Sequence, residues 1–218
     1  MTMERNSEII KGCGLYIVTD RSLCRLPEEQ MVAAALKGGA KVVQYREKDG
    51  STRDMVATAR KLQALTAAHG AILIINDRID VALAVEADGV HLGQDDMPYE
   101  PARRILGADA IIGITAHTVE EALEAQQMGA DYVGLSPIFT TATKVDAGPA
   151  AGIAFVEEAD KRLRIPTVAI GGISEANMGE VLAAGADCVA MISAVVTTEN
   201  IEGTVRRILA EARGVNPR

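Results

Sequence analysis

Aromatic residues are the first thing this chain lacks. Trp is absent, and 218 residues carry only two Phe and four Tyr. A large core must then be aliphatic, built from Ala, Val, Ile and Leu, which suits buried parallel strands. Cysteine is scarce too. Cys13, Cys24 and Cys188 are widely spaced and odd in number, which fits neither a zinc pattern nor a disulfide framework. They read as buried or incidental thiols in a reducing cytoplasm. No apolar run reaches the length of a membrane span. The opening MTMERNSEIIKG carries both charge signs and no apolar stretch, so residues 1–13 read as a short tail rather than a secretory signal. Positive charge is in deficit, with a formal net charge of -8. That field repels nucleic acid and anionic lipid, so neither is an expected partner. A phosphorylated ligand would have to meet a local cluster of cations.

What the chain does have is repetition. GGAKVVQYR from Gly38, EADGVHLGQ from Glu86, MGADYVGLS from Met128 and AGADCVAMIS from Ala184 share one plan. A helical segment meets Gly or a small residue, and an apolar strand follows. Gly suits the left-handed residue that ends a helix. Between these units lie GLYIVTD, AILIIND, AIIGIT and IPTVAIGG, which makes eight strands alternating with helical stretches. Strict alternation implies parallel strands with helical crossovers, at roughly 25 residues per unit. An open doubly wound sheet would carry a Gly-rich fingerprint after its first strand, and VTDR is not one. The reading is a single (βα)8 barrel over residues 14–218, with function at the strands' C-terminal ends.

Those ends hold unusual residues. Alternation puts Gln44, Arg46 and Lys48 of VVQYREK on one side as the second strand runs out. The third strand stops at Asn76 and Asp77, and Asp95 and Asp96 follow the fourth. Any one Asp could cap the next helix, and a terminal cation could simply reach into solvent. Two carboxylates on neighbouring strand ends beside two cations fit Mg2+, which takes few protein oxygens and lets water and phosphate complete its shell. Asp77 and Asp96 are the expected metal pair. The fifth strand brings Thr115 and His117. The sixth opens into SPIFTTATKVDAGP, a long loop of the functional kind, with Thr141, Thr143 and Lys144 able to hold an anion. Gly171, Gly172 and Ser174 after the seventh strand, with Ile192 and Ser193 after the eighth, match the recurrent phosphate site of such barrels. Arg46 and Lys144 should face solvent at the mouth. Those three cations, one divalent ion and two aspartates leave a charge of about +3, which suits a diphosphate. Two substrates are implied, one a diphosphate and one a monophosphate.

YIVTD, QYREK, NDRIDVA, GVHLGQDD, GITAHT, GLSPIFTTATK with DAGPAAG, IGGI and GADCVAMISAV occur in this order, each at a strand end. Together they resemble the thiamine-phosphate synthase family, from about Gly14 to Ala210. The resemblance implies a (βα)8 barrel joining 4-amino-2-methyl-5-hydroxymethylpyrimidine diphosphate to a thiazole phosphate, or its carboxylated form, releasing pyrophosphate. It implies that the segment Gln44, Tyr45, Arg46, Glu47, Lys48, together with Asn76, binds the pyrimidine diphosphate, and that Asp77 and Asp96 hold Mg2+. Thr115 stands where Ser is usual in the pyrimidine site. Thr141, Ala142 and Thr143 would line the thiazole phosphate's site, with Gly172, Ile192 and Ser193 in its cup, and Lys144 would reach the diphosphate. Ser136 replaces a common Gly. Arg46, Lys48 and Lys144 are then the catalytic cations. They steady a leaving diphosphate while the thiazole nitrogen captures the pyrimidinylmethyl cation. A related thiazole tautomerase, a phosphate-binding barrel isomerase and a non-catalytic binder of thiamine intermediates are the rival readings. Whether the chain forms a homo-oligomer is left open.

Overall fold

The computed structural model describes residues 8–141 and 148–215. Its strands are β1 (Gly14–Val18), β2 (Val42–Tyr45), β3 (Ile72–Asn76), β4 (Gly89–Leu92), β5 (Ile111–Ala116), β6 (Tyr132–Leu135), β7 (Thr167–Ala169) and β8 (Cys188–Met191). They pair in chain order, all parallel, and β8 closes on β1 with Gly14 opposite Cys188. The sequence reading of a (βα)8 barrel holds. The intervening helices are α1 (Glu28–Lys37), α2 (Thr52–Ala68), α3 (Ile79–Val85), α4 (Tyr99–Leu106), α5 (Val119–Met128), α6 (Ile153–Arg162) and α7 (Met178–Ala183). After β8 come a short α8 (Ser193–Val196) and the long α9 (Ile201–Val215).

The strands are nearly all apolar because both faces are covered. Alternation sorts their side chains into two separate cores. Leu15, Ile17, Val43, Leu73, Ile75, Val90, Ile112 and Val133 point outward, against the helices. Tyr16, Val18, Val42, Ile72, Ile74, Ile111, Tyr132 and Val168 fill the barrel. The aliphatic expectation holds for most of the core, but Tyr16 and Tyr132 lie within the ring, and Tyr45, Tyr99 and Phe155 join the outer layer. Helix starts are fixed locally: Ser51 accepts from the Asp54 amide to cap α2, and Thr118 accepts from the Glu121 amide to cap α5.

The segment ahead of β1 packs onto the barrel. Residues 8–11 are helical, and Ile10 is fully buried in the inward cluster. Cys13 meets Cys188 there, with the two thiol sulfurs 2.6 Å apart. The apolar pair Ile9 and Ile10 explains why this stretch docks. Among the described residues, no helix is long and apolar enough to cross a membrane.

Candidate active site

At the C-terminal end of the strands a pocket opens into the barrel. Val42 faces in, so alternation carries Gln44 to the inner face and Arg46 and Lys48 up its wall. Arg46 is not the solvent-facing cation expected. Its guanidinium donates to Asp20 at 2.9 Å, and both side chains are largely buried. Its amide donates to Thr19 Oγ1, which ties the end of β2 to the segment after β1. Lys48 is half exposed and pairs with Asp77 at 2.5 Å.

Asp77 and Asp96 come together, as their strand ends allow. Asp77 is a non-glycine residue at φ 60°. Asp tolerates that left-handed conformation better than most residues, but it persists only where surroundings impose it. Here the Asp77 amide donates to the His91 carbonyl at 2.9 Å, and Lys48 holds the carboxylate. Asp96 accepts from the Gly93 amide at 2.7 Å. Burial pushes its carboxyl above the ordinary range, and the Asp77 carboxylate within hydrogen-bonding reach pushes it the same way. Two carboxylates in this position favour a bound cation or a shared proton. Among the described residues no group of three or more His, Cys, Asp or Glu gathers as a complete metal cage. A pair with open positions fits Mg2+ completed by phosphate and water. Asp20 changes the charge expectation. Among the described residues Arg46 and Lys48 lie with three carboxylates, Asp20, Asp77 and Asp96, so these cations are already partly neutralised.

The floor is polar as well. Thr115, from β5, is buried, and its hydroxyl lies 2.9 Å from His91 Nε2. Gln44 Nε2 donates to Tyr16, and Asn76 lines the wall beside them. Toward β7 and β8 a second cavity adjoins the first, sharing Thr141, Ile170, Gly171, Ala190 and Ile192. Gly172, Ile173, Ser174, Ser193, Ala194 and Thr197 complete its lining. Gly171 and Gly172 hold φ of 106° and 64°, and Asn177 braces the turn through the Gly172 carbonyl and Ser174 amide. A side chain at Gly172 would meet the Thr140 carbonyl at 2.6 Å, so backbone itself forms this wall.

Of the sequence-derived residues, the structure gathers Gln44, Arg46, Lys48, Asn76, Asp77, Asp96, Thr115 and Thr141 in the first cavity. Gly172, Ile192 and Ser193 line the second. Ala142, Thr143 and Lys144 lie outside the described residues. Tyr45 and Glu47 are not brought in. Tyr45 is on the opposite face of β2, buried against the helix layer, and Glu47 accepts from the Asp49 and Gly50 amides to shape its own loop. His117 braces β6 through the Ser136 carbonyl. Sequence reasoning missed Asp20, Tyr16, His91 and Tyr132. The clue available for the last two was Gly113 and Gly134, small residues at inward positions of β5 and β6, which leave room for large neighbours.

The family model described as thiamine monophosphate synthase matches residues 15–195. The chain is 49% identical over 197 residues to a thiamine-phosphate synthase of Chloroflexus aurantiacus, covering 90% of this chain and 91% of that one. It is 49% identical over 195 residues to that of Clostridium novyi, covering 89% and 96%. A solved thiamine phosphate pyrophosphorylase from Pyrococcus furiosus superposes with a TM-score of 0.88 at 40% identity, covering 95% of this chain and 98% of that one. With its closed eight-stranded barrel and two adjoining cavities at one pole, the chain belongs to the thiamine-phosphate synthase family.

Proposed function

We propose that the chain joins an aminopyrimidinylmethyl diphosphate to a thiazole phosphate, giving thiamine monophosphate and pyrophosphate. The observation that supports this most is the adjacency of two unlike anion sites. One is a wall of cations and paired carboxylates, and the other is a cup of glycine backbone. A single phosphorylated substrate would not need both.

In this reading Arg46 and Lys48 bind the diphosphate, and Gln44, Asn76 and Thr115 orient the pyrimidine below it. Thr141, Gly172, Ile192 and Ser193 hold the thiazole's phosphate, so its ring nitrogen lies over the pyrimidine methylene. The methylene C–O bond breaks, its electron pair leaves with the diphosphate, and the thiazole nitrogen forms the new C–N bond. No side chain needs to act as nucleophile or base. The work is holding two substrates together and countering charge on the leaving group. Asp77 and Asp96 would hold Mg2+, whose chemistry is to offset charge on diphosphate oxygens. The two adjoining carboxylates with open positions support its presence. We assign the reaction to the cytoplasm, where thiols such as Cys24 stay reduced.

The test is pyrophosphate release with both substrates and Mg2+, with product identified by mass. Neither substrate alone should react. Chelator should abolish turnover while circular dichroism stays unchanged, and full activity in chelator would remove the metal role of Asp77 and Asp96. Tight binding of both substrates without pyrophosphate would replace the enzyme by a sensor.

A further inference from the structure

Five side chains from five strands form one hydrogen-bonded line beneath the mouth. Gln44 Nε2 donates to the Tyr16 hydroxyl at 2.9 Å. The Tyr16 and Tyr132 hydroxyls are 2.8 Å apart. Tyr132 OH lies 2.9 Å from His91 Nδ1, and His91 Nε2 lies 2.9 Å from Thr115 Oγ1. The ring of His91 stacks on that of Tyr132, with centroids 5.4 Å apart. Space for this pair comes from neighbouring strands. A Cβ at Gly113 would sit 2.1 Å from the Tyr132 ring, and one at Gly134 would sit 2.9 Å from the His91 ring.

Such a line has a direction. Tyr16 and Tyr132 are sealed from solvent, and burial pushes both phenols up, so each keeps its one hydrogen. Tyr16 accepts from Gln44 and must pass its own hydrogen to Tyr132, which passes its own to His91 Nδ1. The imidazole proton then sits on Nε2 and is donated to Thr115. The Thr115 hydroxyl hydrogen is left over, and no described residue takes it. At the other end no described residue donates to Gln44 Oε1. Reversing the line would require Gln44 to turn its carbonyl to Tyr16, and both ends would change character together.

We propose that Tyr16, Tyr132 and His91 are positioning residues that couple Gln44 to Thr115, so that the mouth offers an acceptor at Gln44 and a donor at Thr115. This rests on the proposed function and deepens it. An aminopyrimidine presents an amino donor beside a ring-nitrogen acceptor, the complement of that pair. A 4-oxopyrimidine presents the reverse order and is refused. Discrimination is high in such a site because the wrong ligand leaves buried polar groups unpaired.

The experiment is calorimetric binding of 4-amino-5-hydroxymethyl-2-methylpyrimidine and its 4-oxo analogue to the intact protein, which needs no turnover. Wild type should prefer the amino compound by at least about a hundredfold. Tyr132→Phe keeps the ring and removes the central hydroxyl. It should weaken the amino compound about tenfold, narrow the preference, and leave thiazole phosphate binding unchanged. Should that variant not fold, Tyr16→Phe breaks the same line. Nitrogen-15 spectra of His91 in the free wild type should show the proton on Nε2, and in Tyr132→Phe a mixture of tautomers. An Nδ1–H tautomer in wild type, or an unchanged preference in a folded variant, overturns the proposal. Failure of pyrophosphate release would overturn the reaction and leave these readouts standing.

Discussion

Glu28→Gln is the perturbation whose magnitude the structure specifies best. Glu28 lies in the first turn of α1, where the helix dipole favours a carboxylate. Burial opposes this and wins. The residue is 9% exposed, and its Oε1 has no hydrogen-bond partner among the described residues. Burial first, then the charge of Glu47, push its carboxyl from 4.5 up to about 7, with Arg21 only partly offsetting them. The sign follows. Between pH 4.5 and 7 the folded protein keeps a proton that the unfolded chain has lost, so stability falls as pH rises through that window and stays lowered above it. The full shift corresponds to about 3 kcal/mol. Partial hydration of the carboxyl reduces it to about 1–2 kcal/mol. Gln carries no charge, so Glu28→Gln should raise Tm by about 3–6 °C at pH 8 for a barrel of this size and by almost nothing at pH 4. Scanning calorimetry at the two pH values decides it. Because Glu28 does not line the mouth, pyrophosphate release should stay within about twofold of wild type. An equal gain at both pH values, or none at pH 8, would refute the reasoning.

Arg46 and Lys48 should separate catalysis from stability. Lys48→Ala removes a half-exposed partner and should leave Tm within about 1 °C, while Arg46→Ala strands the buried Asp20 and should cost about 2 kcal/mol in urea denaturation. Both should slow pyrophosphate release about a hundredfold, and wild-type turnover in Lys48→Ala would remove it from the diphosphate site. Gly172→Ala must push against the Thr140 carbonyl from a left-handed backbone. It should raise KM for the thiazole phosphate at least about tenfold and leave KM for the pyrimidine diphosphate near wild type. Equal effects on both would argue against two separate cups.

The fold was legible because its signals are local. Eight apolar runs, four of them following Gly or a small residue and each separated from the next by a helical stretch, leave few ways to bury both faces of every strand except a closed parallel ring. Strand ends were legible for the same reason, since Asp77 directly follows a buried aliphatic run. Tyr45 and Glu47 show the limit of taking a motif whole, because alternation had already placed them on the other face from Gln44, Arg46 and Lys48. The Asp20–Arg46 pair joins residues 26 apart, and the Tyr16–Tyr132 contact joins residues 116 apart. Neither leaves a trace in spacing. By itself the sequence determined the ring of strands and the pole where polar residues collect. Closure alone decided which of them touch, because inward side chains from distant strands meet only when β8 pairs with β1 and the barrel has an inside.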